Sequence, residues 1–271
     1  MASFENIGKE NELDLKYIKI GKGNKTALAF HGFGQDNSYY KPFESTFGDK
    51  YTIYCFNLPF HGDDNTPKSG IPAAKDTIKD FFGKFLDGNN ISGFSNIGFS
   101  IGAKISLMLV ELFPEKIEEL ILIAPDGFRT NVWYKVGTGS KLTRSLFKYF
   151  VNHPGYLFRF SDSLASLGLV HPGVLRFAKS QMNTTEKRER VYYTWMFFRR
   201  LGIKKSRIIN LLIVHKIPVF VFLGKEDKII REKHFSFLKD KRIDLRITML
   251  DAGHNDLIKD TALYLEGSSE R

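Results

Sequence analysis

Three short stretches hold residue types that together could carry out nucleophilic acyl chemistry. They are Ser100 in Gly98-Phe99-Ser100-Ile101-Gly102, Asp227 in Gly224-Lys225-Glu226-Asp227, and His254 in Asp251-Ala252-Gly253-His254-Asn255. A serine hydroxyl is a weak nucleophile until a base takes its proton, and the base works best when a carboxylate fixes its tautomer. Ser100 lies between an apolar run, Phe94–Phe99, and a helix-like run, Ala103–Phe113. A serine at such a strand-to-helix turn is forced into strained φ/ψ, which lifts its hydroxyl clear of the sheet. The glycines two residues before and after it are expected because side chains there would meet the neighbouring strand and helix. The Ile101 N–H, at the start of the helix, would then point to where an oxyanion forms.

The elements needed to position these groups are legible as a rhythm. Strand-like runs, short and rich in β-branched and aromatic residues, cover Leu13–Ile20, Thr26–Phe30, Tyr51–Phe56, Phe94–Phe99, Leu120–Ala124, Pro218–Leu223 and Leu245–Leu250. Helix-like runs cover Ala73–Leu86, Ala103–Phe113, Ile230–Lys239 and Asp256–Tyr264. This alternation predicts an α/β fold with a doubly wound, mostly parallel sheet. Asp227 and His254 each follow a strand, and loops at strand carboxyl ends are where such sheets place active sites. Asp126, in Ala124-Pro125-Asp126-Gly127, also ends a strand and is the competing candidate for the acid. A further loop, His31-Gly32-Phe33-Gly34, follows the strand at Thr26–Phe30 and would supply a second oxyanion donor, the Phe33 N–H. His31 is expected to brace this loop through the backbone, and His31 and Gly32 are also candidates for touching substrate.

The rhythm breaks between Ala124 and Pro218, where helices are expected around Lys141–Val151, Val174–Gln181, Glu186–Arg200 and Lys204–His215. The charge changes there too. Of a net +10 over 271 residues, the stretch 129–216 holds 17 Lys and Arg against Asp162, Glu186 and Glu189. That asymmetry predicts a core of residues 1–127 and 217–271 carrying a basic helical cap of residues 128–216. Aromatics in the insert, Trp133 and Trp195 among them, are candidates to roof an acyl pocket. Its cations admit three readings: a solvated surface, attraction to an anionic membrane, or guidance of an anionic substrate. No nucleic-acid-binding motif accompanies the charge.

Hydrophobic residues at 42% suffice for a substantial core, and no run reaches the eighteen or so apolar residues of a membrane span. Cys55 is the single cysteine, and the first residues have neither a basic start nor an apolar signal core. A cytoplasmic setting is therefore expected. The remaining histidines show no ligand spacing with carboxylates or Cys55, so neither metal nor cofactor is expected.

With these motifs in place, the chain resembles the α/β-hydrolase superfamily over essentially its full length. The resemblance rests on His31-Gly32-Phe33-Gly34, Leu58-Pro59-Phe60-His61-Gly62, Gly98–Gly102, Gly224–Asp227 and Gly253-His254-Asn255, with the triad in the order Ser100, Asp227, His254. It implies acyl transfer to water through an acyl-serine, and hence cleavage of a small-molecule carboxylic ester with a small-to-medium acyl group. A serine nucleophile argues against the dehalogenase and epoxide-hydrolase branches, which carry aspartate there. One departure is Asn57, where relatives usually have aspartate. Two rivals stay open: a carbon–carbon bond hydrolase or menaquinone-pathway lyase of the same fold acting on a carboxylated substrate, and a non-catalytic binding protein on that fold.

Overall fold

Seven short strands form one sheet: β1 (Tyr17–Ile20), β2 (Lys25–Phe30), β3 (Tyr51–Phe56), β4 (Phe94–Phe99), β5 (Ile117–Ile123), β6 (Val219–Gly224) and β7 (Leu245–Leu250). The computed structural model describes residues 13–126, 132–168, 179–227, 230, 232, 235, 238 and 242–269. The strand order is β1-β3-β2-β4-β5-β6-β7, with β1 antiparallel to β3 and every other pair parallel. β4 is buried at all six positions, as a central parallel strand covered on both faces must be.

Successive residues along the strands feed two separate layers. Ala27, Ala29, Ile53, Cys55, Ile97, Ile121 and Ile123 share a buried cluster with Phe43 of α1 (Pro42–Phe47) and Leu257, Ile258 and Ala262 of a C-terminal helix, Leu257–Ser269. On the other face Phe30 stacks on Phe56, and both rings meet Phe82 of α2 (Lys75–Gly88) edge-on. α3 (Ala103–Leu112) packs against β2, β4 and β5.

The chain divides into two compact units: residues 1–67, 73–128 and 201–271, and residues 68–72 with 129–200. The second contains α4 (Val132–Gly139), α5 (Lys141–Asn152), α6 (Pro154–Ser166) and α7 (Thr185–Phe198). Its small core joins Val151 of α5 to Tyr192 and Met196 of α7, with Phe147, Tyr193 and Trp195 packed against it. Arg188 is buried there and donates from Nε to the Val151 carbonyl (2.7 Å) and from its terminal nitrogens to the Met182 carbonyl and Thr185 Oγ1. Arg199 donates to the Gly70 carbonyl at 2.9 Å, which ties the short segment 68–72 to this unit.

The boundary expected at 216/217 is corrected by the packing. α8 (Lys205–Val214) buries Ile208, Leu211 and Leu212 and packs on α3, so its apolar face belongs to the sheet-containing unit despite its basic flank. The charge step and the structural step therefore do not coincide. The helix α9 (Leu257–Ser269) and α1 pack on one another. The helices expected over 174–181 and 230–239 fall largely outside the described residues. Among those residues, no helix is long and apolar enough to cross a membrane.

Three tightly held protons point one way. Burial pushes the fully buried Cys55 thiol and Tyr40 phenol up. It also raises Tyr51 to about 12, helped by Glu119, whose carboxylate accepts from the Tyr51 hydroxyl at 3.0 Å. In each case the folded chain holds its proton more tightly than the unfolded chain. The stability they contribute is complete below the unfolded thiol value of about 8.5 and declines as pH climbs past it and past the phenol value of about 10. The denaturant midpoint is expected to fall steadily above about pH 8.5, with Cys55 inert to a thiol reagent until the chain unfolds. A midpoint constant up to about pH 11 contradicts this account.

Candidate active site

The strand order itself creates the place for a site. From β2 the chain moves to β3 on one side, then α2 carries it back over β2 to β4 on the other. The strands β2 and β4 are thus neighbours whose onward connections run opposite ways, the arrangement in which α/β sheets form a crevice at their strand carboxyl ends. Phe30 pairs with Gly98, so the loop at His31 and the turn at Ser100 leave the sheet at the same level.

Ser100 has φ +50°, a left-handed conformation costly for any residue with a Cβ. The two glycines explain how the turn persists. A Cβ on Gly102 would collide with the carbonyl oxygens of Phe30 and His31, at the end of β2. A Cβ on Gly98 would come within 2.5 Å of Ser106 Oγ and 2.7 Å of Ala103 Cα, both on α3. The turn is thus wedged between a strand end and a helix start, with no room for side chains on either flank. A hydrogen bond from the Asp126 N–H to the Ser100 carbonyl (2.8 Å) ties the turn to the end of β5.

His254 Nε2 lies 3.1 Å from Ser100 Oγ, and His254 Nδ1 lies 2.6 Å from Asp227 Oδ2. A carboxylate only accepts, so the Nδ1 hydrogen is donated to Asp227 and the Nε2 lone pair faces the serine hydroxyl. Asp227 is shielded from water, its side chain being 0% exposed, and its Oδ1 accepts from the Ile230 N–H at 3.0 Å. The Phe99 ring lies 5.1 Å from the imidazole, centre to centre. Gly224 makes the approach of the two loops possible, since a Cβ there would strike the Ala252 carbonyl oxygen. Serine, histidine and carboxylate thus stand in one hydrogen-bonded line, able to pass the hydroxyl proton to the ring and stabilise the resulting cation. The competing acid, Asp126, sits elsewhere: its carboxylate faces Lys104 Nζ at 3.7 Å. Asp251 likewise pairs with Lys225 at 2.8 Å.

The loop after β2 is braced at both ends. The Leu58 N–H donates to His31 Nε2 (3.0 Å), which leaves Nδ1 to carry the hydrogen toward the Gly32 carbonyl at 2.8 Å. His31 is thus engaged by the main chain and wholly buried. Gln35, which the motif reading passed over, folds back so that its Oε1 accepts from the Gly32 N–H at 2.9 Å. The loop closes on itself, carrying Phe33 between Gly32 and Gly34, with Gly34 at φ +78°. Only the position of Gln35, three residues past the first loop glycine, could have signalled this. Asn57, the departure from the usual aspartate, uses its Oδ1 to accept from the Asn37 N–H at 2.8 Å. Asp64 was also missed. It accepts from the Phe60 N–H at 2.6 Å, where Phe60 has φ +69°, and burial raises its carboxyl pKa against the pull of its hydrogen bonds.

The two tryptophans give less. The side chain of Trp133 lies outside the described residues. Trp195 packs between Tyr134 and Phe147 within the second unit, with ring centres 5.3 and 5.2 Å away. Among the described residues, no group of three His, Cys, Asp or Glu stands close enough to hold a metal ion.

Known proteins were compared with this chain. A family model described as alpha/beta hydrolase fold matches residues 28–261. A dihydrolipoyllysine-residue acetyltransferase component of an acetoin cleaving system from Cupriavidus necator is 28% identical over 114 residues, 42% of this chain. The match spans only 30% of that relative's own length. Among solved structures, an esterase from Thermogutta terrifontis aligns with a TM-score of 0.66 at 16% identity, over 94% of this chain and 91% of the other. An enol-lactonase from Burkholderia xenovorans aligns with a TM-score of 0.59 at 19% identity, over 94% and 95%. At such identities these two likenesses concern the fold.

The strain at position 100 can be measured directly. Ser100→Gly is expected to raise unfolding stability by about 1 kcal/mol, because glycine adopts this φ without a Cβ clash, whereas Ser100→Ala keeps the clash and gains nothing comparable. Denaturant unfolding of the three proteins at one pH decides it; equal stability of the glycine and alanine variants would remove the strain from the account.

Proposed function

The chain belongs to the alpha/beta hydrolase fold family, and on that premise we propose that it is a serine hydrolase cleaving small-molecule carboxylic esters through an acyl-serine intermediate. The observation that carries this reading is the continuous line from Ser100 Oγ to His254 Nε2 (3.1 Å) and from His254 Nδ1 to Asp227 Oδ2 (2.6 Å). In the proposed reaction His254 takes the Ser100 proton as Oγ attacks the ester carbonyl. Asp227 holds the imidazole in the tautomer that can accept it, and its shielded carboxylate balances the imidazolium.

The tetrahedral oxyanion is received by the N–H groups of Ile101 and Phe33. The first is placed by the turn at Ser100, the second by the loop that His31 and Gln35 brace. Each such donor contributes about 3 kcal/mol to the transition state. His254 then returns the proton to the leaving alcohol. Water, deprotonated in turn by His254, attacks the acyl-serine and frees the acid and Ser100.

Ser100→Ala is expected to abolish hydrolysis of a p-nitrophenyl ester series and covalent labelling by a fluorophosphonate, with an unchanged circular dichroism spectrum. Retained turnover would sink the proposal. A labelled serine with negligible turnover at every acyl length would instead favour the carbon–carbon hydrolase or lyase reading.

The acid is tested separately. Asp227→Asn is expected to lower kcat about 10⁴-fold by reversing the histidine tautomer, while Asp126→Asn leaves kcat within about threefold. The opposite ranking would transfer the role to Asp126.

A further inference from the structure

The helix α5 has two apolar sides, and only one is used by its own unit. Val151 and Phe147 turn inward, toward Tyr192 and Met196. Leu142, Leu146 and Tyr149, spaced four and three residues apart, lie on a different side of the same helix and are 78%, 50% and 45% exposed. Tyr156, at 56% exposed, extends this surface around the corner into α6. The rings at this corner pack on one another. The Tyr149 and His153 rings stack at 4.0 Å and Tyr156 lies 6.1 Å from Tyr149. Two leucines and two tyrosines on one exposed side exceed the scattered apolar residues that any protein surface carries.

The charge around this surface is one-sided. From residue 127 to residue 161 the sequence contains six Lys and Arg and not one Asp or Glu. Lys141 and Lys148 fall on the flank of the exposed apolar side, and Lys135 and Arg159 are also exposed. None of these four forms an ion pair among the described residues. Arg159 and His153 also line a groove of about 360 Å³ at the α5–α6 corner.

We propose that this side of α5, with the α5–α6 corner, docks on an anionic lipid surface: Leu142, Leu146, Tyr149 and Tyr156 enter the headgroup boundary while Lys141, Lys148 and Arg159 contact lipid phosphates. Aliphatic residues ringed by cations, with tyrosines at the margin, match the layered chemistry of a bilayer surface, apolar beneath and anionic above. A nucleic acid would engage the cations but offers nothing for two exposed leucines. A second copy of the chain would bring like charges face to face. The inference does not depend on the hydrolytic reading, and none of these residues belongs to the proposed catalytic machinery.

The test is co-sedimentation of the full chain with phosphatidylcholine vesicles, with and without about 30 mol% phosphatidylglycerol. Binding is expected only to the anionic vesicles, and it should weaken at least tenfold as NaCl rises from about 0.05 to about 0.5 M. Leu142→Ser/Leu146→Ser and Lys141→Glu/Lys148→Glu should each weaken binding at least about tenfold, with melting temperatures close to the parent's. Should the leucine pair unfold the chain, the lysine pair decides. Absence of binding, equal binding to neutral vesicles, or anionic binding untouched by a folded variant pair overturns the proposal. So does binding to duplex DNA as tight as to vesicles and indifferent to the leucine substitutions, which would mark a plain polyanion site.

Discussion

The candidate site depends on one steric constraint, the space between the end of β2 and the start of α3 into which the turn at Ser100 is wedged. Phe30 and His31 carbonyl oxygens stand on one side and Ala103 with Ser106 on the other. The turn fits only because residues 98 and 102 lack side chains, and that fit holds Ser100 at φ +50°. Strain of this kind survives only where surrounding structure over-determines it. Here the sheet, the helix and the hydrogen bond from Asp126 all do so. Direction of the hydroxyl, placement of the Ile101 N–H and the reach to His254 follow from the same backbone.

The second determinant is topological. Because β2 and β4 are neighbours whose onward connections run opposite ways, the loop carrying Phe33 and the turn carrying Ser100 converge without either having to be long. Asp227 and His254 arrive from strands on the far side of β5, whose end is pinned to the serine turn by Asp126. In the core beneath, Ile97, Phe99, Ile121 and Ile123 are buried against the helices. The Phe99 ring continues that layer up to the imidazole.

Much of this was legible in the sequence, for identifiable reasons. Tyr51–Phe56 is β-branched or aromatic at all but Cys55, and Phe94–Phe99 has phenylalanine at both ends with Ile97 between, and their bounds in the structure match the sequence reading. Glycine requirements at 98 and 102 follow from elementary sterics. Gln35 and Asp64 were invisible because their roles lie in loop hydrogen bonds between residues a few positions apart, which no periodicity reports. The boundary after the insert was misplaced because charge was taken as the marker. Helix α8 carries Lys204, Lys205 and Arg207 near its start, yet Ile208, Leu211 and Leu212 decide where it packs. Buried apolar area outweighs exposed charge in choosing a helix's neighbours.

Three arginines of the second unit share a trait with a longer reach. Arg188, Arg144 and Arg199 all donate to main-chain carbonyl oxygens, those of Val151, Met182, Gly139 and Gly70, and among the described residues none of the three pairs with a carboxylate. A carboxylate partner can be lost by one substitution, but a carbonyl is present whatever side chain the position carries. Cross-links of this type therefore place no demand on acidic residues. Helices joined through such contacts stay joined over a surface that carries few Asp and Glu.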